Sequence, residues 1–415
     1  MSTKMLACIV FVLALAVAKI GFAAPSVPPL NSLTREQAQA VDAEKIGAIM
    51  GVSSSEARNR LKLQDATVAL SKSLRAKYID RLAGIYREWS PTPRFVVRLK
   101  GQQLERSRFY TFDGKTFEVS FISGAENTIS ELREALRANL SALAMAFPTL
   151  QATRTDEKTG EVVIDIMAAD AKGDANARAQ AILGVPARVE VGDMPGLLAI
   201  SGSGSLDIGG VAGECTGGFV VSNSGNTIPG IVTAGHCPNN ATTDYITLDA
   251  NSINLTLVAE VWNGSEDLQW YRPTQSSDYS ELEATFFATG ADNRTVYGAF
   301  YLSDTNVGDA LCFFGQSSGD NCGVVDALDY NPNLPNNGCG GYTCEAAFVS
   351  VAAPASDTNF ICNPGDSGAP VFRDNYAYGI LSGGAFSQST GKCARIFYTP
   401  LDKLDDLGIH VMIPS

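Results

Sequence analysis

A serine held between glycines is the first residue with evident chemical potential. Ser367 stands in Asn363-Pro364-Gly365-Asp366-Ser367-Gly368-Ala369-Pro370. The glycines let the backbone turn sharply and leave room for a substrate carbonyl to approach the hydroxyl. A serine hydroxyl is a weak nucleophile until a base active near neutral pH takes its proton, and imidazole is the usual base. The chain has only two histidines, His236 and His410, and His236 lies inside Ile231-Val232-Thr233-Ala234-Gly235-His236-Cys237. His410, near the C-terminus, reads as structural or exposed. Ser367 and His236 together point to acyl-transfer hydrolysis.

An imidazolium formed in such a reaction needs a buried carboxylate to orient and stabilise it. The order histidine, acid, serine would place that acid between 236 and 367. Candidates there include Asp244, Asp249, Glu260, Glu266, Asp267 and Asp278. Asp267 is the choice, because it opens the alternating strand pattern Asp267-Leu268-Gln269-Trp270-Tyr271 just after the turn-forming Asn263-Gly264-Ser265. Glu266 is its rival. An esterase or lipase would instead show a Gly-x-Ser-x-Gly elbow and the order serine, acid, histidine.

These motifs resemble the chymotrypsin-like serine peptidases, in particular the branch of streptogrisin and alpha-lytic protease. Thr233 to Cys237 is similar to the family's histidine motif, and Cys362 to Pro370 to its serine motif. Leu381-Ser382-Gly383-Gly384 looks like its substrate-binding strand. Ala369 departs from the family, which more often has glycine there. The resemblance implies an all-β double six-stranded barrel (chymotrypsin-like) preceded by an α+β pro-domain. It implies a triad of His236, Asp267 and Ser367 in the cleft between the barrels, with His236 and Asp267 from the first and Ser367 from the second. It also implies an oxyanion hole from the N–H groups of Gly365 and Ser367, and substrate contacts at Ile361, Ser382, Gly383 and Gly384. Phe360 would join Ile361 at the pocket's base and wall. No aspartate stands there, so an apolar residue at the cleavage position is expected, with Arg395 and an acidic substrate as the lesser reading. Asp366 would brace the oxyanion loop. As a buried carboxylate it should need a cation, and Arg294, Arg373 and Arg395 are the candidates.

Among the nine cysteines, Cys8 lies in an N-terminal apolar segment and the other eight all fall in the C-terminal half. An even number in an exported domain reads as disulfides. The resemblance implies the pairs Cys215–Cys237, Cys312–Cys322 and Cys362–Cys393, which leaves Cys339 with Cys344. A zinc site is the competing reading, weakened by the lack of a paired Cys-x-x-Cys motif. No metal and no cofactor is expected. The expected partners are protein or peptide substrates and, as the resemblance implies, the chain's own pro-region, acting as intramolecular chaperone and inhibitor. Nucleic acid and stable membrane association are not expected.

The elements that must position these residues can be placed coarsely. At 415 residues the chain should hold two domains. Residues 1–23 look like a secretory signal peptide, with Lys4, an apolar run from Leu6 to Ala18 and a cut after Ala18 or Ala23. An uncleaved anchor is the alternative. Residues 24–195 read as an α+β pro-region without cysteine or histidine, and residues 196–415 as the all-β peptidase domain. The pro-region should contain a helical stretch over 53–82, a strand over Arg94–Lys100, and a helix opened by the capping box Thr128-Ile129-Ser130-Glu131. A hairpin from Leu150 to Met167 should follow, turned by Lys158-Thr159-Gly160. Two helix-then-hairpin units would make an internal repeat. An unrelated domain that stays attached is the other reading of this half. The Gly/Ser-rich stretch between the halves suggests processing near 194–205. Charge divides in the same place. From Pro195 onward there are six basic residues against 23 acidic ones, a balance of −17, while residues 1–194 carry +4. The split reads either as the surface acidity that keeps a secreted enzyme soluble or as attraction between the halves, and charge alone does not separate the two. A catalytically silent secreted binding protein on the same scaffold is the alternative function; its usual mark, loss of the serine or histidine, is absent.

Overall fold

Local capping chemistry determines where the N-terminal helices begin and end. This computed structural model describes residues 33–192, 195–197, 204–208, 211–239, 243–246, 252–290, 292–334, 338–354, 360–386 and 392–414. The expected signal segment and much of the expected processing stretch lie outside the described residues. Helix α1 (Arg35–Met50) starts on a capping box between Thr34 and Gln37 and ends at Gly51 with φ 64°. Helix α2 (Ser54–Ala66) is capped by Ser53, and α3 (Val68–Lys77) follows after Thr67. The stretch 53–82, read from sequence as one helical segment, is therefore two helices. Thr67 separates them, its hydroxyl donating back to the Leu63 carbonyl at 2.6 Å. The chain then leaves helix for β1 (Leu82–Glu88).

Strands β2 (Arg94–Lys100), β3 (Arg108–Phe112) and β4 (Lys115–Ala125) complete a four-stranded sheet in the order β1-β2-β4-β3. Helix α4 (Ile129–Ala146) opens on the Thr128–Glu131 capping box. Strands β5 (Leu150–Asp156) and β6 (Glu161–Ile166) form the expected hairpin. Helix α5 (Ala175–Leu183) then crosses to β7 (Ala187–Val191), which lies parallel to β6. The two sheets share one plan: an antiparallel hairpin, β1/β2 or β5/β6, and a later strand, β4 or β7, parallel to its second member.

Beyond β8 (Pro195–Leu197) the chain is all-β, with short 3-10 turns as its only helical pieces among the described residues. The first sheet comprises β9 (Ser205–Ile208), β10 (Val211–Thr216), β11 (Val220–Asn223), β12 (Pro229–Thr233), β13 (Thr243–Ile246), β14 (Ser252–Asn263) and β15 (Glu266–Pro273). The final strand β25 (Ile409–Val411) joins it against β11. After the two-stranded β16 (Thr285–Thr289) and β17 (Asp292–Thr295) and the short β18 (Gly298–Ala299) comes the second barrel. It consists of β19 (Ala310–Gly315), β20 (Gly319–Pro332), β21 (Phe348–Ala352), β22 (Pro370–Arg373), β23 (Tyr376–Phe386) and β24 (Cys393–Pro400). Its order β19-β22-β23-β24-β21-β20 closes through β19–β20 pairing, so this barrel has six strands.

The N-terminal region shares cores and a sheet with the barrels. Ala43, Ile46, Ala57 and Leu61 pack in one apolar cluster with Phe286, Ala310, Phe314 and Phe372. Tyr86 and Val96 pack with Val307, Phe313 and Tyr378. Strand β5 pairs with β20 at Thr153↔Asn331 and Ala152↔Pro332, so the β5-β6-β7 sheet continues the second barrel's sheet. Six of the seven β5 residues are buried because a strand flanks it on each side.

Candidate active site

The first sheet delivers His236 and Asp267. His236 sits in the turn after β12, and Asp267 is the second residue of β15, a strand paired with β12 through Thr233↔Gln269. Asp267 holds the histidine at two points. Its Oδ1 accepts the His236 backbone N–H at 2.8 Å and its Oδ2 lies 2.8 Å from Nδ1. Both side chains are only 5 % exposed. On the ring's other side, Nε2 lies 2.8 Å from the Ser367 hydroxyl. An Nδ1–H held on the carboxylate makes Nε2 the ring nitrogen that can accept the serine proton. Glu266 turns the other way, to Lys403 at 2.8 Å and Asn263 at 3.1 Å. Its carboxyl lies below the usual range: burial raises it, and the hydrogen bond to Lys403 leads the stronger opposing effects.

Ser367 precedes β22 of the second barrel, and the loop carrying it is tied to the first sheet. The Thr216 N–H donates to the Ser367 carbonyl at 2.7 Å and the Thr216 hydroxyl to the Gly365 carbonyl at 2.8 Å. On its own barrel, Gly368 N–H bonds the Leu381 carbonyl at 2.7 Å. Gly368 has φ 89°, and a Cβ there would stand 2.1 Å from Thr233 Oγ1 and 2.2 Å from the Thr216 carbonyl oxygen. Only glycine fits so close an approach of nucleophile loop to first sheet. The loop leaves the Gly365 and Ser367 N–H groups without an intramolecular acceptor among the described residues. Thr216 carries no sequence signal that would have singled it out.

The expected cation beside Asp366 is replaced by backbone amides, which corrects the sequence expectation. Its carboxylate accepts the N–H groups of Asn363 at 2.8 Å, Ser317 at 3.2 Å and Ser318 at 3.1 Å. Burial pushes the carboxyl up to about 6, with the hydrogen bonds opposing. The three candidate arginines are engaged elsewhere. Arg294 pairs with Asp42 and Asp292, Arg373 with Asp65, and Arg395 with Asp165 at 3.0 Å and Asp326 at 3.4 Å. Three peptide dipoles converge on the carboxylate in place of a cation and offset part of the cost of its burial.

Around the pocket, Phe360 is buried against Phe313, ring centroids 6.0 Å apart, and Ile361 is 37 % exposed. The Ser382 hydroxyl lies 3.0 Å from that of Thr399. Gly383 and Gly384 pair antiparallel with Leu197 and Gly196 of β8, so the chain's own segment lies on this strand. Arg395, the residue considered for acidic substrates, is held by its two aspartates. His410 lies on β25, its Nε2 2.7 Å from Asn226 Oδ1. The bridges Cys215–Cys237, Cys312–Cys322, Cys339–Cys344 and Cys362–Cys393 are all present. A further neighbour, not singled out from sequence, is Trp262. Its ring lies 6.2 Å from that of His236, tilted by 56°.

The chain is similar to known serine proteases. Residues 192–407 match the family model described as Trypsin. Streptogrisin-A of Streptomyces griseus is 25% identical over 281 residues, covering 66% of this chain and 80% of that protein. Serine protease 2 of Streptomyces fradiae is 28% identical over 180 residues, covering 43% of this chain and 91% of that protein. Among solved structures, Thermobifida fusca Protease A is 22% identical, covering 52% of this chain and all of that one, with a TM-score of 0.39. With the family model spanning more than half of its length, the chain belongs to the Trypsin family and is a serine endopeptidase of chymotrypsin-like fold.

Proposed function

We propose that Ser367, His236 and Asp267 are the catalytic triad of a secreted peptidase made as a zymogen. The observation that carries this reading is the single imidazole set between carboxylate and hydroxyl, 2.8 Å from each. His236 Nε2 takes the Ser367 proton as the hydroxyl oxygen attacks the scissile carbonyl. Asp267 keeps the second ring proton on Nδ1 and stabilises the imidazolium. The Gly365 and Ser367 N–H groups receive the oxyanion, each such donor contributing roughly 3–4 kcal/mol. The imidazolium then protonates the leaving amine, and water repeats the sequence to free Ser367.

Residues 24–195 act as pro-region, inhibitor and folding partner to the domain 196–415. Support comes from β5 extending β20, and from the boundary strand β8, which brings the segment that follows the pro-region onto the substrate strand β23. A peptide paired with Gly383 and Gly384 occupies the strand edge a substrate would use. Apolar preference at the cleavage position is supported by the aromatic base at Phe360 and by the engagement of Arg395 with aspartates. Secretion is supported by the signal-like N-terminus and the four disulfides.

The test is covalent labelling. A fluorophosphonate is expected to modify Ser367 in the active product, and His236→Ala to abolish the modification. Equal labelling of the variant would remove His236 from the role of base.

A further inference from the structure

The loop closed by Cys339–Cys344 belongs to the second barrel's part of the chain, yet it grips the hairpin that carries Asp267. Both cysteines are buried, in a cluster with Tyr330, Leu334, Phe348 and Phe397. Within the loop, Tyr342 N–H bonds the Cys339 carbonyl at 3.0 Å. Gly340 has φ 65°, and a Cβ there would stand 1.9 Å from the Trp262 carbonyl oxygen and 3.1 Å from the root of its indole at Cγ. The loop backbone therefore lies directly on Trp262. Just past the bridge, Glu345 donates its N–H to the Gly264 carbonyl at 2.6 Å. Both ends of Trp262-Asn263-Gly264 are thus held from the other barrel. Across the ladder Trp262 is the partner of Asp267, and its ring faces His236.

We infer that this disulfide-closed loop is a positioning device for the base. It seats Trp262 against His236 and fixes the β14–β15 hairpin, so that Asp267, His236 and Ser367 stay aligned across two barrels. The inference rests on the assignment of His236 as base. Trp262 touches no reacting atom in this scheme; it is a positioning residue. The physical need is plain: an imidazole aligned with one group from each barrel loses catalysis when the barrels shift by a fraction of an ångström.

The experiment uses the active product of the full-length chain, titrated with a fluorophosphonate so that kcat is expressed per competent site. The substrate is a peptide anilide with an apolar residue before the scissile bond. The paired change Cys339→Ser with Cys344→Ser, Gly340→Val alone, and Trp262→Ala alone are each expected to lower kcat roughly 10-fold. KM should change less than about two-fold. The acid limb of the kcat–pH profile, which reports the imidazole, should move in all three, and Trp262→Phe should recover most of the rate. Cys339→Ser with Cys344→Ser added to Trp262→Ala should cost less than the two separate losses together, because loop and indole hold the same hairpin. Unchanged kcat and pH limb in Trp262→Ala, or additive losses in the combined variant, would overturn the inference. Should the loop variants fold poorly, the comparison of Trp262→Ala with Trp262→Phe decides alone. A wild-type product that takes no fluorophosphonate would instead overturn the base and nucleophile assignment, and the inference with it.

Discussion

Arg294 of β17 and Asp42 of α1 meet through two parallel hydrogen bonds of 2.9 and 2.8 Å, both side chains buried. Asp292 and the Asp374 carbonyl take the remaining guanidinium hydrogens, and Phe372 lies beneath the charge. The carboxylate comes from the net-basic half and the cation from the net-acidic half. Arg373–Asp65 and Arg395–Asp165 run the same way, while Arg87–Asp309 and Arg133–Asp329 follow the gross charge. Buried pairs of both senses therefore join the two halves, whatever their net charges.

Removing Asp42 takes two hydrogen bonds from buried Arg294 and leaves Asp292 as its remaining carboxylate partner. Asp42→Ala in a Ser367→Ala background, which prevents self-cleavage, should cost roughly 3–5 kcal/mol in urea unfolding. Lys45→Ala, at the partly exposed pair with Asp320, should cost under about 1 kcal/mol. Equal effects would mean that burial does not set the strength of these contacts.

Acid should tighten the grip of the N-terminal region. Burial, then the neighbouring Asp42, pushes the Asp374 carboxyl up to about 7, with Arg373 opposing and Asp65 adding to the rise. Gln39 donates to it at 3.0 Å. A folded value above the unfolded one gives stabilisation that is complete in acid and lost as pH rises through the folded value. Affinity of the separate N-terminal region for the peptidase should therefore fall between about pH 4 and pH 7. Asp374→Asn should flatten that profile, and asparagine tolerates the φ of 52° at this position. An unchanged slope in the variant would assign the titration to another group.

The third triad member can be tested against its neighbour. Asp267→Asn should lower kcat by roughly 10⁴, because the imidazole would be held in the wrong tautomer. Glu266→Gln should leave kcat near wild type, since its carboxylate serves Lys403. The reverse pattern would move the role to Glu266.

The register of β8 on β23 suggests where the chain cuts itself. Pairing runs Pro195↔Ala385, Gly196↔Gly384, Leu197↔Gly383, toward the point where Gly368 bonds Leu381 beside Ser367. The next residues in sequence are Leu198 and Ala199. N-terminal sequencing of the active product should begin at Ala199, and Ser367→Ala should remain uncut. A different first residue would refute this register as the one used in processing.

The peptidase half should need its partner to fold. Refolding of residues 196–415 should yield more active enzyme with residues 24–195 added, because barrels built from distant strands fold slowly. Excess partner should inhibit the mature enzyme, with a slower encounter at high salt. Equal yields and no inhibition would make the N-terminal half a passive domain.

Sequence alone was enough for the residue types of the site and for the elements with local causes. Ser367 among glycines, His236 before a cysteine, the capping box at Thr128 and the hairpin around Lys158-Thr159-Gly160 all depend on neighbours within a few positions, where chain geometry is decided by turns and caps. The similar box at Thr34 is equally local, yet α1 gives a weak periodic signal, because half of its apolar residues are alanines with little contrast. What only the tertiary structure decided is long-range. β15 turns the Asp267 carboxylate toward His236 and that of Glu266 toward Lys403, because adjacent residues on a strand point to opposite faces. The neighbours of Asp366 were misjudged because backbone amides carry no sequence signature; every residue has one, and only folding aims three of them at one carboxylate. Thr216, Trp262 and the buried arginine pairs belong to the same class, since their partners lie tens or hundreds of residues away and no local pattern encodes them.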